Sequence, residues 1–229
     1  GLISTVVAWR FLLYDEDELF KSETKNPENE LLTGGWSQLK QIMTPILITL
    51  FGMIFVASFG LAGFESIYSL YVNEVHNFDL NAIALVLTLN GIISLILQVF
   101  FFDRLVRWLG EVRLMRYSFF LSLVGTIMVI YDHNHWHIII ATLFVFEAFD
   151  MLRPTITTLL TKMSKTNQGL LNGVNMSLTS VGNIIGPLIS GYLLDVNYQY
   201  PYWFVSIFLI ISWVITLVLG RERKAATND

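Results

Sequence analysis

The chain has 229 residues, of which 54% are hydrophobic and 14% charged, with a formal net charge of −4 and no cysteine. Its apolar residues gather into runs that reach the roughly 20 residues needed to cross a bilayer, which excludes a soluble globular domain. The lack of cysteine excludes a disulfide framework and a thiolate metal site.

The first residues, GLISTVVAWRFLL, have no initiator Met and neither the basic start nor the small-residue cleavage site of a signal peptide. Residues 1–14 read as the end of a preceding membrane helix, so the chain is expected to be the C-terminal part of a longer protein. Residues 15–41, rich in charge and turn formers, are too polar for lipid and read as an interhelical linker. Six hydrophobic segments follow, at about 42–72, 80–102, 112–131, 136–161, 168–194 and 201–220, before a polar tail at 221–229. None shows strand alternation, and lipid demands that backbone polar groups be satisfied within a segment, so all six are expected to be helices. The predicted fold class is all-α, a polytopic membrane protein.

Charge sets the orientation. Every Lys and Arg except Arg153 falls before the first full segment, between the second and third segments, between the fourth and fifth, or in the tail. The alternate connections, VNEVHNFDLN, YDHNHWH and DVNYQYPY, have none. The positive-inside rule then places the linker and C-terminus in the cytoplasm. His133, His135 and His137 alternate in a short external loop beside Asp132; they lack a helical i, i+4 pair and an evident fourth ligand, so no metal is expected there.

The fourth segment carries FEAFDMLRP, placing Glu147, Asp150 and Arg153 where the surroundings are apolar. A charge at mid-bilayer costs several kcal/mol unless it is paired or hydrated, so such residues face a bundle interior and mark ion or proton paths. Asp150 and Arg153, three apart, are expected to pair, and Glu147, one turn earlier, to extend the same polar face. Two readings stand: a structural ion pair, or a carboxylate that loads and releases a proton. Pro154 is expected to bend the helix by removing a backbone donor. A second buried acid is expected at Glu65, sharing a helical face with Tyr68 and Ser69; it is either quietly hydrogen-bonded or a cation or proton site. Phe64, Tyr68, Phe144, Phe146 and Phe149 lie near these acids in sequence, and aromatic faces beside carboxylates suit amphipathic cations. Asn90, Ser94 and Gln98 form one polar stripe; Asn172, Asn175, Thr179 and Asn183 form another. Such stripes are interhelical hydrogen-bonding seams more often than ligand sites. Gly182, Gly186, Pro187 and Gly191 allow either close helix packing or a hinge.

FGLAGFESIYSLY, FFDRLVRWL, AFDMLRPTIT and NQGLLNGVNMSLTSVGNIIGPLISGYLLDV together resemble, from about residue 44 to 200, the C-terminal half of a major facilitator superfamily transporter. The closer resemblance is to drug:proton antiporters of the NorA and Bmr type. It implies a six-helix C-terminal bundle in a multi-pass cell-membrane protein, with a missing N-terminal half as the other wall of the cavity. It implies proton coupling at Glu65 and Asp150, with Arg153 in their charge network and Asp103, Arg104 and Arg107 helping to close the cytoplasmic side. Glu147 departs from the pattern, where a small residue is usual, and could share the proton or favour cations.

The expected function is proton-coupled efflux of amphipathic or cationic drugs by alternating access. Substrate contacts are expected at Phe64, Tyr68, Phe144, Phe149 and Asn90, and gating at Gly186 and Pro187 besides the loop charges. No enzymatic activity, cofactor or nucleic-acid partner is expected; the proton gradient supplies the energy. A transporter of a specific metabolite, or a non-transporting sensor or scaffold, is the alternative.

Overall fold

The computed structural model describes residues 43–163 and 168–225, with side chains as far as 219. The described residues fold into six helices and no strand. Helix α1, Pro45–His76, starts where the Thr44 hydroxyl accepts the Leu47 amide at 3.4 Å and Pro45 occupies the first turn. It stops at Asn77, which takes a left-handed φ of 54°. Helix α2, Leu80–Leu109, contains a π-helical turn at Leu97–Phe101 and stops at Gly110, whose φ of 76° disfavours any side chain. Helix α3 is Glu111–Tyr131. In the turn that follows, the Asp132 carboxylate accepts the Asn134 amide at 2.9 Å, and the Asn134 side chain accepts the Trp136 amide at 3.0 Å. These bonds launch α4, His135–Met163. Helices α5, Gln168–Val196, and α6, Tyr200–Ala225, complete the bundle.

Five of these helices are long and apolar enough to cross a membrane. Six spans were expected; α4 matches the others in length, but Glu147, Asp150 and Arg153 interrupt its apolar middle. The expected helix end 1–14, the linker 15–41 and residues 226–229 lie outside the described residues, as does Lys165.

The closest helix pair is α1 with α5. A Cβ on Gly186 would stand 2.6 Å from the Phe59 carbonyl oxygen and 2.9 Å from the Gly63 nitrogen, and one on Gly182 would stand 2.9 Å from the Phe59 nitrogen. Glycine therefore brings the two backbones into contact, as small residues do where lipid offers no hydrophobic drive to associate. Gly191 is not part of this seam, because nothing lies within 4 Å of its Cβ position. Between α1, α4 and α6 the core is aromatic. Phe64 meets Phe146 edge-on at 5.3 Å and Tyr202 at 5.1 Å, Tyr68 meets Phe146 at 5.5 Å, and Tyr71 meets Tyr202 at 4.4 Å. These are the offset and edge geometries that ring quadrupoles favour.

Contacts identify the two ends of the bundle. Glu111 at the start of α3 forms an ion pair with Lys162 at the end of α4, and Arg116 donates to the Thr216 carbonyl at 2.8 Å. At the opposite end the His76 ring lies 3.1 Å from the Val129 carbonyl, and His135 stacks on Phe78 at 4.8 Å. His137 pairs with Asp132 at 2.9 Å. The Asn134 amide, and after it His137, holds the Asp132 carboxyl below its ordinary range. The histidines at this end thus belong to the packing and capping of the α3–α4 turn.

The outer faces differ in character. Tyr117, Phe120, Leu121 and Val124 of α3 and Ile207, Ile211 and Val214 of α6 are exposed and apolar, as lipid contact requires. Exposed positions on α1 and α5 mix apolar side chains with Glu65, Ser66, Ser69, Ser177, Ser180 and Asn183.

Candidate functional site

The polar residues of α4 are held by different neighbours. The Ser94 hydroxyl on α2 donates to the Asp150 carboxylate at 2.7 Å, and Gln98, one turn further along α2, donates to Ser94 at 2.9 Å. On the other side of α4, Arg153 donates to the Asn183 side-chain oxygen of α5 at 2.6 Å. Asn175 of α5 adds a bond to Thr157 of α4 at 3.1 Å.

The expected Asp150–Arg153 ion pair is therefore absent among the described residues. Spacing of three puts two side chains within reach, but it does not stop each from taking a better-placed partner on another helix. Here α2 offers a hydroxyl to the acid and α5 offers an amide oxygen to the base. Each bond to a charged group contributes about 1.5–3 kcal/mol. The acid thus ties α4 to α2 and the base ties α4 to α5.

Glu147 does not extend this polar face. At about 100° of turn per residue, Glu147 lies roughly 60° from Asp150 and 120° from Arg153 around α4, so it stands beside the acid but meets different neighbours from the base. Glu147 is only 8% exposed and faces apolar side chains of α2 and α3.

Glu65 is also placed otherwise than expected. It is exposed, with Ser66 and Ser69, while Phe64 and Tyr68 beside it are fully buried in the aromatic core. The bulky aromatic side chains gain most from burial, so they set the rotation of α1 and turn the acid outward. Glu65 and Asp150 share no hydrogen bond or ion pair in this structure.

Of the expected substrate contacts, Phe64, Tyr68 and Phe149 have no exposed surface, and Phe149 packs against Gly60. In this conformation they are core residues. Phe144 is half exposed, and Asn90 is half-buried on α2, one turn before Ser94. Asp103, Arg104 and Arg107 are exposed on the last turns of α2, and among the described residues none forms an ion pair. Gly186 sits in the α1–α5 seam, next to Pro187. Ser94, Gln98 and Asn183 complete the network, and their signal was the two polar stripes on α2 and α5. What the stripes lacked was any indication that each would capture one member of the α4 charge cluster.

Asp150 has a hydroxyl partner that can either donate to a carboxylate or accept from a carboxylic acid. Protonation would exchange those roles without emptying the site.

The family model described as Major Facilitator Superfamily matches residues 1–229. Multidrug resistance protein 1 of Bacillus subtilis (strain 168) is 38% identical over 205 residues, covering 89% of this chain and 53% of that protein. Quinolone resistance protein NorA of Staphylococcus aureus (strain COL) is 33% identical over 219 residues, covering 95% of this chain and 54% of that protein. The chain spans about half the length of these curated relatives.

Proposed function

The chain belongs to the Major Facilitator Superfamily, and from that premise we propose that it forms the C-terminal half of a proton-coupled exporter of amphipathic drugs. Its relatives are named for multidrug and quinolone resistance. The observation that carries the proposal is the split of one charge cluster between two helices: Asp150 bound to Ser94 of α2, Arg153 bound to Asn183 of α5.

In the proposed mechanism Asp150 is the proton carrier. As a carboxylate it accepts from Ser94, and Gln98 orients that hydroxyl. As a neutral acid it makes a weaker, uncharged hydrogen bond, which loosens the α2–α4 link by about 1 kcal/mol. A difference of that size biases an equilibrium between inward-open and outward-open states several-fold. Arg153 keeps α4 attached to α5 throughout. Glu65, on the exposed polar face of α1, faces an N-terminal half and supplies a second acid for protons or for cationic drugs. The basic end that carries Arg104, Arg107, Arg113 and Lys162 is cytoplasmic. The half-bundle moves as one unit against its partner half, with the glycine seam holding α1 to α5. The protein is a transporter and not an enzyme.

The test is dye efflux from energised vesicles containing the whole gene product. Wild type exports an amphipathic cationic dye; Asp150→Asn and Glu65→Gln lose proton-driven export. If both variants export fully, the acids are misassigned; if wild type moves no amphipathic dye, the drug reading fails.

A further inference from the structure

Glu147 takes no part in the hydrogen-bonded network of Asp150 and Arg153, yet it is buried at the middle of α4. Neither of its carboxylate oxygens has a hydrogen-bond partner among the described residues. It lines a cavity of about 440 Å³ between α2, α3 and α4, whose other walls include Leu97, Tyr117, Leu121, Phe144 and Met151. That volume lies within the roughly 300–1,000 Å³ typical of small-molecule sites. No Lys, Arg or His lines it. The nearest cation along α4, Arg153, is nearly two turns away and is bonded to Asn183.

The cavity opens sideways. Tyr117 of α3 is 57% exposed and Phe144 of α4 51%, so aromatic rings from both helices stand at its outer edge. A ligand dissolved in the membrane therefore reaches the cavity without passing the polar face of α1 and α5. The wall of the cavity also contains Leu97, the first residue of the π-helical turn of α2. Such turns interrupt the regular ladder and are frequent at functional sites.

A charge buried without a partner is costly. The apolar walls accept a hydrophobic body and the two exposed aromatic rings accept a ring or a cation face; of the polar lining residues, Tyr117 and Ser118 carry hydroxyls and Glu147 alone a carboxylate. We propose that this cavity is a lipid-facing binding site for a small amphipathic amine, whose ammonium group pairs with Glu147 while its aromatic body fills the space between Leu97, Leu121 and Phe144. The site shares no hydrogen bond with the Asp150 network, and it stands whether or not the protein exports drugs.

The experiment is photolabelling of the whole gene product in phosphatidylglycerol nanodiscs. The probes are 4-benzoylbenzylammonium and its uncharged counterpart, 4-benzoylbenzyl alcohol, with crosslinks located by peptide mass spectrometry. Wild type should be labelled at Tyr117, Phe144 or Met151 at least tenfold more efficiently by the ammonium than by the alcohol. Glu147→Gln should remove that preference, and Leu121→Trp, which fills the mouth, should suppress both probes. Equal labelling of wild type by the two probes overturns the proposal, and so does a preference that survives in Glu147→Gln. If Glu147→Gln does not fold, the two-probe comparison in wild type still decides. Loss of labelling on adding phosphatidylethanolamine assigns the cavity to a lipid amine and also overturns it. A wild type that is labelled as expected but moves no dye counts against export alone.

Discussion

Replacing Gly186 by Ala tests the α1–α5 seam. The new methyl would stand 2.6 Å from the Phe59 carbonyl oxygen and 2.9 Å from the Gly63 nitrogen, whereas ordinary contact begins near 3.4 Å. Both obstacles are backbone atoms, so no side-chain rotation relieves the overlap and the helices must part by several tenths of an ångström. Overpacking of this kind costs about 1–3 kcal/mol. Alanine also favours a helix over glycine by about 1 kcal/mol, which partly hides that cost. Gly191→Ala supplies the correction, since its methyl meets nothing within 4 Å and gains the same helical preference. Reversible unfolding of both variants in mixed micelles should place Gly186→Ala about 1–3 kcal/mol below Gly191→Ala. Equal stability of the two would refute the view that glycine sets the distance between α1 and α5.

Other expectations follow from individual contacts. Phe149→Ala should lower stability by about 3–5 kcal/mol, the range for emptying a buried aromatic site, while drug affinity of the remaining folded protein, measured by fluorescence titration, stays within twofold; a large affinity loss at unchanged stability would return Phe149 to the substrate path. Ser94→Ala removes the hydroxyl that holds the Asp150 carboxylate, a bond of about 1.5–3 kcal/mol, so initial dye-export rates in vesicles should fall about tenfold or more; unaltered export would separate Ser94 from the mechanism. The Asp132 carboxyl is held below its ordinary range chiefly by the Asn134 amide. Its contribution to the α3–α4 turn is therefore full at neutral pH and lost as pH falls through the depressed value. Hydrogen exchange of the Asn134 amide, corrected for intrinsic rates, should show protection at neutral pH that Asp132→Asn weakens and that acid removes from wild type.

The helices were legible because lipid permits few alternatives: a long apolar run without strand alternation must satisfy its own backbone. Their ends were less so. Hydropathy ends the second segment at about residue 102, but α2 continues through FDRLVRWL to Leu109 and stops only at the positive φ of Gly110. Hydropathy falls where the chain leaves lipid, whereas a helix ends where its backbone is capped, and the two places differ by as much as two turns here. The first segment likewise extends past residue 72 to His76, until Asn77 turns left-handed.

The functional residues were legible as types and not as partners. Two acids and an arginine inside an apolar helix announce themselves, and so does a glycine-rich run beside a proline. Their pairing depends on which helices flank α4, and spacing within α4 carries no such information. Asp150 and Arg153 look like a pair until Ser94 and Asn183 are placed on either side of them. Glu65 looks buried until Phe64 and Tyr68 claim the inner face of α1. Glu147 looks like a third member of the cluster until the rotation of the helix sets it against apolar walls.

The central claim is that proton movement and drug movement are coupled through Asp150. It is tested most directly in proteoliposomes containing the whole gene product, by imposing a gradient of a cationic dye without any pH gradient and recording internal pH. Coupled exchange predicts that protons move opposite to the dye, and that Asp150→Asn abolishes this proton flux. Dye movement in wild type with no accompanying pH change, or an undiminished proton flux in Asp150→Asn, would contradict the account.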